Sequence, residues 1–373
     1  MGTEILIHRD EAPGQKEMSQ GKILKIAAKD FTDVSAITTI EGIRHVEKEH
    51  ETFEGKQPTD EEIKRIGKGM DEATIPIAEK QFHKRSRLRI AVIASEGEKD
   101  DAPFLKGEFG PIDSPRIEVI HDAIDGTSLI AAKKTDSLSL ISGSEKFERI
   151  SPEIHYMVSI TVPPEARKAA YLSLSKVGHK EVLMNICEEL KIKPQELTQV
   201  MLNPNKKGRE VNNVFLEAGQ ELGVKHKLLN AGDVMPRVLC SLSQRERLRY
   251  CDKYGLDFKE FEGYMIMVGR GGTPELSAGS AAGKITGAPT IAYLWNQDIK
   301  SIDTQNIFTT EKLVPGKKES TIVVSTFATE STWFKQPGVQ INHDGSYTTS
   351  TLILTAQSGL EIATNTYHQK DLD

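Results

Sequence analysis

Two segments rich in β-branched residues, Arg87–Ser95 and Arg116–Ala123, each run directly into a cluster of carboxylates, and no other pattern constrains the chain as much. Their composition reads as strand. The first is followed by Glu96-Gly97-Glu98-Lys99-Asp100-Asp101-Ala102-Pro103 and then Gly107-Glu108; the second continues into Asp122-Ala123-Ile124-Asp125-Gly126-Thr127. Hard cations take oxygen ligands, keep waters, and are usually held by a few carboxylates together with a substrate phosphate, and carboxylates at strand ends meet that need. In the Asp-x-x-Asp turn, Asp122 and Asp125 flank a site with the Ile124 carbonyl between them. Gly126 permits the tight turn and Thr127 presents a hydroxyl. A single acid in a loop is most often solvated or a helix cap, so composition alone leaves both readings open.

At 373 residues the chain is long enough for two lobes sharing a cleft, since a domain holds roughly 100–200 residues. Hydrophobic residues at 38% and charged ones at 27% are near the averages for soluble globular proteins. A net charge of -6 argues against a nucleic-acid partner, which calls for a basic face. The three cysteines, Cys187, Cys240 and Cys251, are odd in number and form no CxxC pair. They suggest neither a disulfide framework nor a thiolate zinc site, and a reducing cytoplasm is the expected location. No apolar run of signal-peptide length opens the chain and none approaches ~20 residues later, so no membrane partner is expected. Gly2 does not read as a myristoylation site, because Leu6 stands where that motif needs Ser or Thr.

Residues 1–20 read as a flexible leader, 21–158 as an N-terminal metal-binding lobe, 159–263 as an α/β substrate lobe, and 264–373 as a segment completing both. From Gly21 to Ser86 the pattern is helical, with a capping box at Thr59–Glu62 and a break expected at Gly67-Lys68-Gly69. Helix is expected at Lys180–Leu190 and Glu210–Leu222, and strand at Val200–Asn203 and Lys225–Leu229. Strand Tyr264–Val268 is expected to enter a Gly269-Arg270-Gly271-Gly272 turn and then a helix over Glu275–Lys284, the outline of an anion site. Thr321–Thr326 and Thr348–Thr355 are the clearest strands of a β-rich end. The run Ala278–Ile285 fails as a P-loop at both of those termini.

The segment Ser95–Pro103 resembles the Gly-Glu-Gly-Glu-x-Asp-Glu-Ala-Pro block of the class II fructose-1,6-bisphosphatase/sedoheptulose-1,7-bisphosphatase family, within the lithium-sensitive sugar phosphatases. Asp122–Thr127 is similar to its Asp-Pro-Ile-Glu/Asp-Gly-Thr block, and Gly271-Gly272-Thr273-Pro274-Glu275 to its Gly-Gly-Ala-Pro-Glu block. Lys207-Gly208-Arg209 looks like a Lys-Pro-Arg segment, Ala231-Gly232-Asp233-Val234 like Asp-Gly-Asp-Val, and Tyr156 falls on the substrate tyrosine. The resemblance spans roughly residues 65–365. It implies an α/β (α+β) fold of stacked α/β/α/β/α layers, two lobes with the active site between them, and assembly as a homodimer or homotetramer.

The resemblance further implies hydrolysis of a sugar (bis)phosphate, fructose-1,6-bisphosphate or sedoheptulose-1,7-bisphosphate, with Mg²⁺ or Mn²⁺. Glu96, Asp122, the Ile124 carbonyl, Asp125 and Glu275 would be the metal ligands. Asp100 and Thr127 would activate water, with Glu96 also catalytic. Asp125, Gly126, Thr127, Tyr156, Lys207, Arg209, Gly232, Asp233, Arg270 and Gly272 would bind substrate. Inositol-phosphate and nucleotide 3′-phosphatases share the Asp-x-Ile-Asp-Gly-Thr turn but not the Gly-Gly-x-Pro-Glu block.

Several positions depart from the family pattern. Ile75 stands at an expected metal-site aspartate and Met70 at another acid; Asp71 and Glu72 either replace the ligand or serve a helix N-terminus. Ala231 removes a hydroxyl acceptor. Arg270 either grips a phosphate or pairs with a neighbouring acid, and Lys206, Lys207 and Arg209 either clamp a second phosphate or begin a solvated helix. His121 and His155, lacking His or Cys partners, read as packing or surface residues, and Asp298 and Asp303 as a solvated loop. Ile75 motivates the alternative of a catalytically impaired relative that binds a sugar phosphate or a partner as a sensor or scaffold.

Overall fold

The computed structural model describes residues 18–53, 58–95, 105–150, 156–173, 178–206, 208–257, 263–296 and 301–373. Two sheets carry the fold. The larger, of eight strands, has the order β12-β13-β11-β4-β3-β1-β2, with β14 paired to β13. Its strands are β1 (Arg89–Ser95), β2 (Gly107–Phe109), β3 (Arg116–Asp125), β4 (Leu138–Ser144), β11 (Ile322–Phe327), β12 (Gln340–Ile341), β13 (Tyr347–Thr355) and β14 (Gly359–Tyr367). The second, of six strands, has the order β10-β9-β5-β8-β6-β7. It comprises β5 (Met157–Thr161), β6 (Leu197–Leu202), β7 (Lys225–Leu229), β8 (Tyr264–Gly271), β9 (Thr290–Asn296) and β10 (Ser301–Thr309).

Helices fill three layers around these sheets. The long α1 (Gln20–Glu51) and α2 (Asp60–Arg85) pack together on the outer face of the large sheet. Between the sheets lie α7 (Val234–Cys240) and α9 (Thr273–Thr286), with α8 (Gln244–Tyr254) and α10 (Thr310–Leu313) nearby. The far face of the second sheet is covered by α4 (Arg167–Ser173), α5 (His179–Leu190) and α6 (Asn212–Leu222). Short helices α3 (Thr127–Ala131) and α11 (Gln369–Leu372) complete the set. The result is the α/β/α/β/α stack that the family resemblance implies.

Strand periodicity explains why both faces of the large sheet are covered. Ile117, Val119, Ala123, Ile322 and Val324 pack with α1 and α2, whereas Ile120, Val323, Leu352 and Leu354 pack with α7 and α9. Alternate residues of one strand thus feed two cores, as a sheet buried on both sides requires. Fully buried His121 stacks edge-on to Phe82, with ring centroids 5.9 Å apart. Burial pushes its pKa down to about 4. Packing is its role; His155 lies outside the described residues.

The capping box forms as expected: Thr59 N donates to Glu62 Oε2 at 2.7 Å, and Glu62 N donates to Thr59 Oγ1 at 3.3 Å. The Gly67-Lys68-Gly69 break does not. These residues lie inside α2, and a Cβ on Gly67 would come within 3.3 Å of Thr127 Oγ1. The glycine serves a close helix crossing rather than a turn. Asp71, Glu72 and Pro76 are therefore also inside α2, well past its first turn, so neither acid serves a helix N-terminus. Proline there removes one hydrogen bond from the helix.

Gly269-Arg270-Gly271 belongs to β8 instead of a turn, because each pairs across to β5. Asp303 likewise lies in β10, not in a loop; Asp298 is outside the described residues. Smaller shifts are at β6, which ends at Leu202, and at α6, which begins at Asn212. Among the described residues no helix is long and apolar enough to cross a membrane. Cys187, Cys240 and Cys251 are buried.

Candidate active site

A β-bulge at the end of β3 sets the acidic pair. Asp122 pairs with Leu140 and Asp125 with Leu138, so three steps along β3 match two along β4. Residues three apart on a regular strand point to opposite faces. The extra residue puts Asp122 and Asp125 on the same face, the one where Leu138 and Leu140 join the core between the sheets. Gly126 follows in the left-handed region at φ 79° and begins α3, whose first residue is Thr127.

A cavity of about 330 Å³ opens beside this turn. It is lined from the large sheet by Ile124, Asp125, Gly126 and Thr127, and from the second sheet and its loops by Tyr156, Arg209, Asp233 and Arg270. Gly232, Gly272 and Glu275 also line it. Residues from five stretches far apart in sequence thus converge. Asp122 is 1% exposed and does not line the cavity, but it lies on the same face as Asp125. Glu96, Asp100 and Lys207 lie outside the described residues.

The helices aim their N-termini inward. The Val234 amide, first in α7, donates to Asp125 Oδ2 at 3.3 Å. Glu275 lies in the first turn of α9, after Pro274, where the helix dipole favours a carboxylate. Ser137 Oγ donates to the Asp125 carbonyl at 2.7 Å and ties the turn to the start of β4. Glu108, by contrast, is taken up by Arg89 at 2.8 Å and Arg116 at 3.2 Å, away from the cavity.

The cationic side is built on one carbonyl. Lys206 Nζ and Arg209 Nη1 both donate to the Asn230 carbonyl, at 2.9 and 2.8 Å. Burial, and then the neighbouring Arg209 and Lys134, pull the Lys206 pKa down. The Arg270 guanidinium stacks 3.5 Å from the centre of the Tyr156 ring, and its buried Nε has no hydrogen-bond partner among the described residues. Asn212 Oδ1 accepts from the Arg270 amide at 3.0 Å, while its Nδ2 donates to the Leu202 carbonyl at 2.8 Å. Asn212 therefore fixes the backbone that carries Arg270.

Ile75 is 6% exposed and packs among Phe82, Val92 and Ala123. Glu72 points outward, 3.9 Å from Lys68. Neither Asp71 nor Glu72 lines the cavity. Among the described residues no group of three or more His, Cys, Asp or Glu side chains is placed to hold a metal ion, and Glu96 of the implied set lies outside them. The donors present, Asp122, Asp125, the Ile124 carbonyl and Glu275, are all oxygen, the set that suits a hard divalent cation.

Sequence reasoning passed over Asn212 and Arg237. Arg237 is wholly buried and bonds Asp233 and Ser159. Its spacing of four from Asp233 on a helix is the one signal that could have marked it.

The model of the family described as bacterial fructose-1,6-bisphosphatase, glpX-encoded, matches residues 64–251, half of the chain. A D-fructose 1,6-bisphosphatase class 2/sedoheptulose 1,7-bisphosphatase of Prochlorococcus marinus (strain MIT 9515) is 24% identical over 302 residues, covering 75% of this chain and 82% of that protein. The protein of the same description from Prochlorococcus marinus subsp. pastoris is 24% identical over the same length. One from Acaryochloris marina is 25% identical over 195 residues, 48% of this chain and 54% of its own. With the acidic turn and the cationic wall meeting in one cavity, this chain belongs to the bacterial, glpX-type fructose-1,6-bisphosphatase family, whose members are metal-dependent phosphatases.

Proposed function

We propose that the protein hydrolyses a phosphomonoester of a sugar bisphosphate, fructose 1,6-bisphosphate or sedoheptulose 1,7-bisphosphate, with Mg²⁺ or Mn²⁺. The observation that carries this reading is a single cavity lined by Asp125, Thr127 and Glu275 together with Arg209 and Arg270. Carboxylates serve the cation and the attacking water, while guanidinium groups suit a second, non-reacting phosphate. Glu96, Asp122, Asp125, Glu275 and the Ile124 carbonyl would hold the cation, which neutralises charge on the phosphoryl oxygens when bound.

The chain's own residues supply positioning and proton transfer. Thr127, with Asp100 as acceptor, orients the attacking water and takes its proton. Attack at phosphorus in line with the sugar oxygen breaks the P–O bond and releases inorganic phosphate and a sugar hydroxyl. Gly126 and Gly272 bring backbone close to the phosphoryl group; Tyr156, Lys207, Arg209, Gly232, Asp233 and Arg270 receive the rest of the substrate. The two sheets with their helices act as two lobes, the chain assembles as a homodimer or homotetramer, and it works in the cytoplasm.

The apolar packing of Ile75 favours, as a second reading, a relative that binds sugar phosphate without turning it over. A panel of sugar phosphates with Mg²⁺ or Mn²⁺, scored for released phosphate, separates the two. Turnover supports the phosphatase. Binding without turnover by folded protein supports the second reading.

A further inference from the structure

Arg237 has no exposed surface, yet it lies one residue layer behind the cavity. Its Nε and Nη2 donate to Asp233 Oδ2 at 3.0 and 2.9 Å, and its Nη1 donates to Ser159 Oγ at 2.6 Å. Ser159 Oγ in turn donates to the Gly269 carbonyl at 3.3 Å. A Cβ on Gly271 would stand 2.6 Å from Nη2, so the guanidinium is pressed under the end of β8. Both bonds to Asp233 converge on one oxygen. Oδ1 accepts no hydrogen bond from a described residue, and Asp233 lines the cavity.

We infer that Arg237 is a positioning residue that presents Asp233 Oδ1 to a hydroxyl of the sugar. The inference rests on the proposed function and names how that site reads the polyol part of its substrate. Two physical effects combine. The two bonds to Oδ2 fix the rotamer, so the remaining oxygen has one direction in which to accept. The buried cation also cancels the Asp233 charge, which would otherwise repel an anionic sugar phosphate in a poorly screened cavity. The wall then keeps the positive charges of Arg209 and Arg270 for phosphate. Ala231, two residues before Asp233, carries no acceptor, so Asp233 supplies the one carboxylate of this segment.

The test uses the full chain with fructose 1,6-bisphosphate for turnover and fructose 6-phosphate for binding by calorimetry. Folded R237M should raise KM about 10-fold or more while kcat changes less than roughly threefold. R237K should restore part of the lost affinity. An unchanged KM in folded R237M would overturn the inference. If R237M does not fold, D233N and the double variant R237M/D233N decide. Equal KM for these two supports action through Asp233, and a further rise in the double variant contradicts it. Weaker fructose 6-phosphate binding in R237M, without turnover by the native protein, would sink the phosphatase reading and leave this inference standing. A native protein that neither binds nor hydrolyses either sugar overturns both.

Discussion

The amide of Val234 donates to Asp125 Oδ2 at 3.3 Å, joining the helix between the two sheets to the acidic turn at the end of β3. Because an asparagine oxygen can accept the same bond, Asp125→Asn should keep its fold and melt within a few degrees of the native protein. Its phosphate release should fall by about 100-fold or more, since the charge needed for cation and phosphoryl chemistry is gone. Circular dichroism and steady-state kinetics on one preparation check both halves.

Ile75 packs in the apolar cluster under α1 and α2. Ile75→Asp should therefore lose about 3 kcal/mol of stability or more, from lost packing and an unpaired buried carboxylate. The loss should persist at millimolar Mg²⁺. Denaturant melts with and without the cation measure it, and full recovery by Mg²⁺ would show that position 75 faces a metal after all.

Burial pushes the Cys240 thiol up to about 12 from an ordinary 9.0. Below pH 9.0 folded and unfolded chains both hold this proton; above it the unfolded chain releases the proton while the folded chain keeps it. Cys240 therefore contributes a fall in stability as pH rises through that window. With all three thiols buried, alkylation of the native protein at pH 8 should be roughly 100-fold slower than after unfolding, as mass spectrometry would show.

Replacing Arg270 with methionine keeps much of the stacking on Tyr156 and removes the charge. KM for a bisphosphate should rise about 10-fold, with a smaller change for a monophosphate of the same sugar. An equal change for both substrates would place Arg270 away from the second phosphate.

The elements that local composition controls were legible in the sequence: β1 and β3 and the capping box at Thr59, while the stacked layers were legible through the family resemblance. The acidic turn was legible as chemistry, since Asp122, Asp125 and Gly126 sit close together. Its geometry was not. The bulge that turns both aspartates to one face depends on pairing with Leu138 and Leu140, and no pattern within β3 specifies it. Gly67 read as a break because glycine weakens an isolated helix; its real cause is the crossing with Thr127, a contact between distant segments. Arg237 escaped notice for the same reason. Its partners Ser159 and Gly269 lie on strands far from it in sequence.

The most direct test of the phosphatase assignment is inorganic phosphate released from fructose 1,6-bisphosphate, with Mg²⁺ or Mn²⁺, by the native protein and by Glu275→Gln. The account predicts steady release by the native protein and a fall of about 100-fold or more in the variant, whose site at the start of α9 is otherwise intact. No release by folded native protein, or equal release by the two, would contradict it.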